Sequence, residues 1–300
     1  YTPGVVPAIN LLLLAMTNEG DEILIQRPVY YPFTDSIVKQ KRTVVSSSLV
    51  NKNGKYEIDF EDFEKKASSP KCTAFILCNP HNPGGRVWTR EELTRMGEIC
   101  IRNGVYIVAD EIHCELVFPG NIYIPFASLS PEFSSHSVTC NSPSKAFNIA
   151  GLQIANIIVP DNDMRTRIDR AININEVCDV NPFGVEALIA AYNEGEEWLS
   201  QLLAYLKGND DFMWDFCRQN LPQFPLTRLE GTYLEWMDCK TIGLASAELE
   251  KRLIDEAGLW LNAGTMYGAE GEGFMRWNIA CPRSRLTEGL ERFRQYISSL

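Results

Sequence analysis

A lysine placed behind two hydroxyl residues is the part of this sequence whose chemistry is easiest to name. Ser142, Ser144 and Lys145 follow a short strand-like run, residues 137–140, and lead into a turn of small residues. Burial lowers the pKa of a lysine, so its neutral amine can form a Schiff base with an aldehyde cofactor. The two hydroxyl groups would then hold a phosphate. In the alternative interpretation, Lys145 only caps a turn.

Two more polar side chains follow predicted strands upstream. The apolar run 73–78 ends in a Pro- and Gly-rich stretch that contains Asn82, and the apolar run 105–109 ends at Asp110. Between them lies a stretch with the pattern of a helix. Strand–helix–strand units of this kind form parallel sheets, whose ligands bind at the carboxyl ends of the strands. We therefore expect Asn82, Asp110 and Lys145 to share one pocket.

These three side chains match the needs of a pyridine-type cofactor. Such a cofactor works best as an electron sink when its ring nitrogen stays protonated, and a buried Asp110 would keep it so. Asn82 would donate a hydrogen bond to the phenolic oxygen of the ring, while Lys145 would hold the aldehyde carbon. The residue types alone therefore favour an enzyme with an aldehyde-bearing pyridine cofactor.

Three motifs in the same order and spacing resemble a known family. They are residues 78–88 (CNPHNPGGRVW), residues 110–113 (DEIH) and residues 144–148 (SKAFN). The chain is similar from Gly4 to its C-terminus to the fold-type I pyridoxal-phosphate enzymes of the aminotransferase class I/II superfamily. Within that superfamily it looks most like the MalY/PatB-type cystathionine β-lyases. The resemblance implies pyridoxal 5'-phosphate as the cofactor.

Further site residues are implied by the same resemblance. Tyr30 would stack on the cofactor ring, although a tyrosine at a strand end can also simply pack a turn. His113 lies where many aminotransferases have a tyrosine that contacts the phenolic oxygen, and the alternative is a packing role. Arg276 would bind the substrate α-carboxylate, because a planar guanidinium matches a carboxylate with two hydrogen bonds. For Arg276 the alternative is an ordinary surface ion pair.

The phosphate site departs from the family pattern, because Gln153 stands where many aminotransferases have an arginine. We expect Ser142, Ser144 and backbone amides to bind the phosphate instead. A predicted helix over residues 8–16 would offer its N-terminus, which attracts anions. The residues expected to form this phosphate cup are Gly4, Val5 and Val6.

An α/β fold with two domains is the predicted architecture. The resemblance implies a large cofactor-binding domain with a mostly parallel sheet of the seven-stranded type, assigned to residues 1–200. Residues 201–300 would form a smaller C-terminal α+β domain. Within the second half, residues 182–207 have a helical pattern with a possible bend at Gly195, and residues 208–211 would cap the next helix. The family also has an N-terminal segment before the phosphate loop, and this chain starts directly at that loop.

Composition limits the partners. The 300 residues carry a net charge of −11, which disfavours nucleic acid and anionic membranes as partners. Nine cysteines occur at irregular spacing without a C-x-x-C pair, which argues against a disulfide framework and against a zinc site. We expect no metal, and a reducing, cytoplasmic compartment.

The resemblance favours one reaction among several. It implies that Lys145 acts as general base at Cα of an amino-acid substrate, with loss of a β-thiolate from L-cystathionine or a related cysteine S-conjugate. A pyridoxal-phosphate-dependent aminotransferase is the alternative within the enzyme class. A regulatory binding protein on the same fold is the alternative from another class. The family works as a homodimer, so a dimer is implied as well.

Overall fold

Helices and strands alternate along the chain, as expected for an α/β protein. A computed structural model describes all 300 residues. The helices are α1 (Val5–Met16), α2 (Pro32–Lys39), α3 (Phe60–Ala67), α4 (Arg90–Arg102), α5 (Pro131–Ser135), α6 (Asn162–Ile174), α7 (Pro182–Glu194), α8 (Glu196–Asn220), α9 (Ser246–Ala257) and α10 (Arg283–Ser299). The strands are β1 (Glu22–Ile25), β2 (Thr43–Ser46), β3 (Val50–Lys52), β4 (Lys55–Glu57), β5 (Cys72–Cys78), β6 (Tyr106–Asp110), β7 (Ser137–Asn141), β8 (Asn156–Ile158), β9 (Leu234–Asp238), β10 (Asn262–Ala263) and β11 (Phe274–Asn278).

The central sheet has the strand order β2-β1-β5-β6-β7-β8. All neighbours are parallel except β8, which runs antiparallel to β7. The predicted α/β class and the mostly parallel sheet are therefore confirmed. Because β5, β6 and β7 are adjacent and parallel, their carboxyl ends lie side by side at one edge of the sheet.

Six strands form this sheet, whereas the resemblance implies a sheet of the seven-stranded type. Beside β8, Thr2 pairs with Ala155 through a single antiparallel bridge. The Thr2 N–H donates to the Ala155 carbonyl at 3.0 Å, and the Ala155 N–H donates back at 2.8 Å. Pro3 follows with no N–H to donate, and α1 begins at Val5, so the pairing does not extend from Thr2 toward α1.

The helical stretch in the second half breaks where expected but continues further than expected. Gly195 separates α7 from α8, as predicted. The predicted cap over residues 208–211 is wrong, because α8 runs through it to Asn220. The Asn209 side chain caps no helix there; it is buried and donates to the carbonyl of Ile279 at 2.7 Å. Neither α8 nor any other helix is both long enough and apolar enough to cross a membrane.

Three apolar clusters form the core. Side chains alternate along the strands, so one cluster packs α1, α2 and α6 on one face of the central sheet. A second cluster packs α3 and α4 on the other face. The third lies between α8, α9, α10 and a three-stranded antiparallel sheet of order β10-β11-β9. The predicted domain division near residue 200 falls inside α8, and it stays a prediction.

Two carboxyl groups are buried in the third cluster. Glu235 on β9 is fully buried, and neither of its carboxyl oxygens has a hydrogen-bond donor in the protein. Burial and the neighbouring Asp210 of α8 raise the pKa of Glu235 well above its usual range. Lys207 contacts the other side of Asp210 at 2.9 Å. Burial beside a second carboxyl group therefore disfavours the ionised form of Glu235.

Candidate active site

The carboxyl edge of the central sheet carries the predicted trio. Asn82 lies four residues beyond β5, Asp110 is the last residue of β6, and Lys145 lies four residues beyond β7. Their side chains line one cavity of about 300 Å³. Arg276 of β11 closes the same cavity from the antiparallel sheet, although it is more than 130 residues away along the chain. Four separate parts of the sequence therefore meet at one place.

The structure brings together all but one of the site residues that the sequence predicts. The cavity is lined by Gly4, Val5, Val6, Tyr30, Asn82, Asp110, His113, Ser144, Lys145 and Arg276. Ser142 does not line it. The Ser142 hydroxyl is buried, donates to the Ile154 carbonyl at 2.6 Å and accepts from the Ser144 N–H at 3.1 Å. Ser142 therefore holds the lysine turn in shape, and its proton is not free for a phosphate.

Burial dominates the electrostatics of the trio. Asp110 is only 3% exposed, and burial raises the pKa of its carboxyl to about 7, against the opposing effects of the Ile112 N–H and of Lys145. Burial also lowers the pKa of Lys145, an effect that Arg276 strengthens and Asp110 opposes. The Lys145 amine is therefore easier to deprotonate than an exposed one. This is the property that a nucleophile or a general base needs.

His113 is a neutral ring in the cavity wall. Burial, helped by the positive charges of Lys145 and Arg276, lowers the pKa of His113 to about 3. Its Nδ1 atom is buried and has no hydrogen-bond partner in the protein. The ring meets that of Tyr233 edge-on, with ring centroids 5.8 Å apart. His113 is thus a neutral polar group near the lysine rather than a cationic acid.

Asn82 is held in one orientation by its neighbours. The Arg276 Nη1 atom donates to the Asn82 side-chain oxygen at 3.2 Å, which leaves the amide nitrogen of Asn82 as a donor. The loop around Asn82 is fixed by the buried Arg86. Its Nε donates to Glu230 at 2.8 Å, and its Nη2 donates to Glu92 at 2.9 Å. The charged pairs therefore anchor this loop both to α4 and to the segment before β9.

The start of α1 forms the opposite end of the cavity. Helix α1 has no side-chain cap at Gly4, and its first intrahelical bond runs from the Ala8 N–H to the Gly4 carbonyl. The N–H groups of Val5 and Val6 are therefore free in the first turn. Ser144, whose hydroxyl is not used in the lysine turn, lines the cavity with them. A free helix N-terminus with a hydroxyl beside it suits a phosphate.

Several lining residues were missed by sequence reasoning. They are Pro3, Pro7, Cys78, Ile112, Ala150, Ile154, Tyr233, Leu234 and Asn278. Ile112 sits inside the quoted DEIH motif, so proximity to Asp110 was a usable signal. Tyr233 and Leu234 lie at the start of β9, and nothing local in their sequence marks them as facing a site. They reach the cavity only because the antiparallel sheet packs over the central one.

The fold and the cavity define an α/β protein with a partly buried lysine at the carboxyl edge of its sheet. Comparison with known sequences gives the family: the pattern of aminotransferase class I and II matches residues 1–293. The chain belongs to this family. The match spans nearly the whole chain, so both the central sheet and the antiparallel sheet are part of it.

Individual relatives agree with that assignment. Cystathionine β-lyase PatB of Bacillus subtilis (strain 168) is 43% identical over 298 residues, which cover 99% of this chain and 77% of the relative. Protein MalY of Escherichia coli (strain K12) is 31% identical, over 97% of this chain and 74% of the relative. The crystal structure of cystalysin from Treponema denticola, which contains a pyridoxal 5'-phosphate cofactor, superposes with a TM-score of 0.97 and 34% identity. It covers 99% of this chain and 76% of that one.

Proposed function

We propose that this protein is a pyridoxal 5'-phosphate-dependent carbon–sulfur β-lyase. It would cleave L-cystathionine or a related cysteine S-conjugate to a thiol, pyruvate and ammonia. The observation that carries the proposal is the meeting of Lys145, Asp110, Asn82 and Arg276 in one cavity. The reaction type is supported by the 43% identity to a cystathionine β-lyase over 99% of the chain.

The cavity offers a partner for the phosphate end of the cofactor. The free N–H groups of Val5 and Val6 and the Ser144 hydroxyl would hold the phosphate, with Gly4 at the entrance of the helix. These donors supply hydrogen bonds without an arginine at position 153. The fit supports pyridoxal 5'-phosphate rather than a cofactor without a phosphate.

The other end of the cavity suits the pyridine ring. Asp110 would face the ring nitrogen, the amide nitrogen of Asn82 would donate to the phenolic oxygen, and Lys145 would hold the aldehyde carbon. Tyr30 would cover one face of the ring, and His113 would border it. The Tyr30 ring is itself held edge-on by Phe33 at 5.9 Å between centroids, so it is a firm surface for stacking.

The chain's own residues divide the chemical work. When bound, the cofactor supplies an electron sink for a carbanion at Cα of the amino acid. Lys145, whose pKa is lowered by burial, accepts the Cα proton as general base. Asp110 keeps a proton at the ring nitrogen by presenting a carboxylate in a buried site. Arg276 binds and orients the α-carboxylate of the substrate, which is a small-molecule amino acid.

A homodimer is part of the proposal. Helix α7 is largely apolar, yet only Gly184 of its residues is buried. Phe183 is 75% exposed, and Tyr192 and Trp198 on either side of Gly195 are both more than 40% exposed. An exposed apolar surface of this kind is typical of a protein–protein interface. A cytoplasmic location is also proposed, supported by nine cysteines that are all free of disulfide bonds.

The test measures pyruvate release by the purified protein with pyridoxal 5'-phosphate and L-cystathionine. We expect activity, and we expect Lys145→Ala to lower it by roughly 10²-fold or more, because the general base is removed. Lys251→Ala is the matched control, since Lys251 is exposed on α9 and lies outside the cavity. The visible absorbance of the bound cofactor is recorded for each variant.

Three outcomes would contradict parts of the proposal. Pyruvate release that survives in Lys145→Ala would remove the assigned base. Bound cofactor without pyruvate, together with amino transfer to an added keto acid, would indicate an aminotransferase instead. A protein that binds no cofactor would refute the assignment of the cavity.

A further inference from the structure

Arg276 is held from two directions by one short segment. Asn262 is its cross-strand partner, on β10 opposite β11. The Asn262 side-chain oxygen accepts a hydrogen bond from Arg276 Nη2 at 2.7 Å, in the plane of the guanidinium. Arg276 Cζ lies over the Tyr267 ring, 5.0 Å from the ring centroid. Residues 262–267 thus contact the Arg276 guanidinium both through a hydrogen bond and through an aromatic ring.

This segment is itself rigid. A Cβ atom on Gly264 would lie 1.9 Å from the Gly271 carbonyl oxygen, so the turn at residues 264–267 approaches the following turn, residues 269–271, as closely as only glycine allows. Tyr267 is 1% exposed and meets Trp236 edge-on at 5.3 Å. Its carbonyl accepts a hydrogen bond from the Val29 N–H at 3.0 Å. The Tyr267 ring therefore has a fixed place under the arginine.

A count of donors shows what these contacts leave free. A guanidinium has five N–H donors. Nη1 uses one for Asn82 and Nη2 uses one for Asn262, while Nε is buried and has no partner in the protein. One N–H on each η nitrogen remains, and Arg276 lines the cavity. The two hydrogen bonds and the contact with the Tyr267 ring fix the direction of these remaining donors.

We propose that Asn262 and Tyr267 are positioning residues, which hold Arg276 in the orientation that binds the substrate α-carboxylate. The inference rests on the proposed function of Arg276. Neither residue lines the cavity. They act on the substrate only through the arginine, so their loss weakens carboxylate binding and leaves the proton transfer at Lys145 in place. A long side chain such as arginine otherwise samples many rotamers, and fixing it in advance removes that cost from binding.

The main test compares KM, kcat and the inhibition constant of propionate, a carboxylate that lacks the amino group. Asn262→Ala is expected to raise both KM and the inhibition constant by roughly tenfold or more, because a hydrogen bond to a charged group is lost. We expect kcat and cofactor affinity to change less than threefold. Asn173→Ala is the matched control: Asn173 is exposed on α6 and bonds only the carbonyl of Asp169.

A second pair of variants keeps the test decisive if Asn262→Ala does not fold. Tyr267→Phe keeps the ring, and the Tyr267 hydroxyl has no hydrogen-bond partner to lose. Tyr267→Leu removes the aromatic face. We expect Tyr267→Leu to raise KM and the inhibition constant of propionate more than Tyr267→Phe does, by roughly threefold or more.

Arg276→Met separates the failure of this inference from failure of the proposed function. If Arg276→Met leaves KM and the inhibition constant unchanged, the carboxylate role of Arg276 is wrong. If Arg276→Met raises both but Asn262→Ala and Tyr267→Leu do not, only the positioning roles are wrong. A fall in kcat without a change in the propionate constant would also overturn them.

Discussion

At the scale of single residues, the buried Asp110 carboxyl carries the most informative electrostatics. Its pKa is raised to about 7 by burial, while the nearby Lys145 pulls it in the opposite direction. An unfolded chain has this carboxyl ionised well below pH 7. The free energy of unfolding of the cofactor-free protein therefore falls as the pH rises toward about 7, because the Asp110 carboxyl ionises more easily in the unfolded chain. The cofactor ring nitrogen would remove that cost, since it brings a positive charge beside the carboxylate.

Asp110→Asn should make the cofactor-free protein more stable at pH 8. A group whose pKa is raised on folding adds stability below its unfolded pKa and loses it as pH rises through its folded pKa. Asparagine has no such charge, so the free energy of unfolding at pH 8 should be higher in the variant by about 4 kcal/mol. The difference should shrink toward pH 5. Urea unfolding at both pH values measures it.

The control for that measurement is Asp255→Asn, an exposed carboxylate on α9. Its effect on stability should be small and similar at both pH values. A difference between wild type and Asp110→Asn that does not grow from pH 5 to pH 8 would mean that Asp110 is not held neutral.

Sequence reasoning identified the site residues that lie at or just after strand ends. It missed the residues that reach the site only through tertiary packing. Asn82, Asp110 and Lys145 could be found because a parallel sheet brings strand ends together whatever the rest of the chain does. Asn262 and Tyr233 could not, because their contacts depend on how the antiparallel sheet lies over the cavity. Ser142 looked like a phosphate ligand by its type, yet its hydroxyl bonds a carbonyl twelve residues away.

At the scale of elements, local signals located helix ends when the cap was a local interaction. Thr89 and Glu92 form a capping box at the start of α4, and this cap depends only on residues three positions apart. The small polar run at Gly208 looked like a similar start, but α8 continues through it. There the deciding contacts are tertiary, since Asn209 bonds the backbone near α10. A sequence pattern cannot distinguish the two cases.

Alanine substitutions at two glycines should have opposite effects. A Cβ on Gly195 would lie 2.4 Å from both the Ala191 carbonyl and the Phe147 ring, so Gly195→Ala should destabilise by about 1–3 kcal/mol. A Cβ on Gly208 would meet only the Nη2 atom of Arg283, at 3.2 Å, and a small shift at the end of that long side chain would relieve the contact. Since Gly208 lies inside α8, Gly208→Ala should stabilise by about 0.5–1 kcal/mol.

Thermal or urea unfolding of the two variants measures these changes against wild type. Gly151→Ala serves as a reference, because nothing lies within 4 Å of its Cβ position. A destabilising Gly208→Ala would indicate that α8 is interrupted at residue 208, as the sequence pattern suggested.

At the scale of the whole molecule, the fold class was predictable while the closure of the site was not. The alternation of apolar runs and helical patterns indicates a parallel α/β sheet from local signals alone. The cavity, however, needs a wall from β9 and β11, and that wall is fixed by the buried Arg86, whose partners Glu92 and Glu230 are 138 positions apart. Nothing in the sequence between two such residues indicates that they share an ion-pair partner.

The buried carboxyl groups of Glu235 and Asp210 in the third apolar cluster also have a consequence for the enthalpy of unfolding, which should depend on the buffer. An unfolded chain at pH 7.5 has Glu235 ionised, whereas burial raises the pKa of Glu235 well above its usual range in the folded protein, so unfolding favours release of a proton to the solvent. The unfolding enthalpy measured by calorimetry should therefore differ between phosphate and Tris, which take up protons with different heats. Glu235→Gln should narrow the difference between the two buffers, and a difference that stays unchanged in Glu235→Gln would mean that Glu235 releases no proton on unfolding.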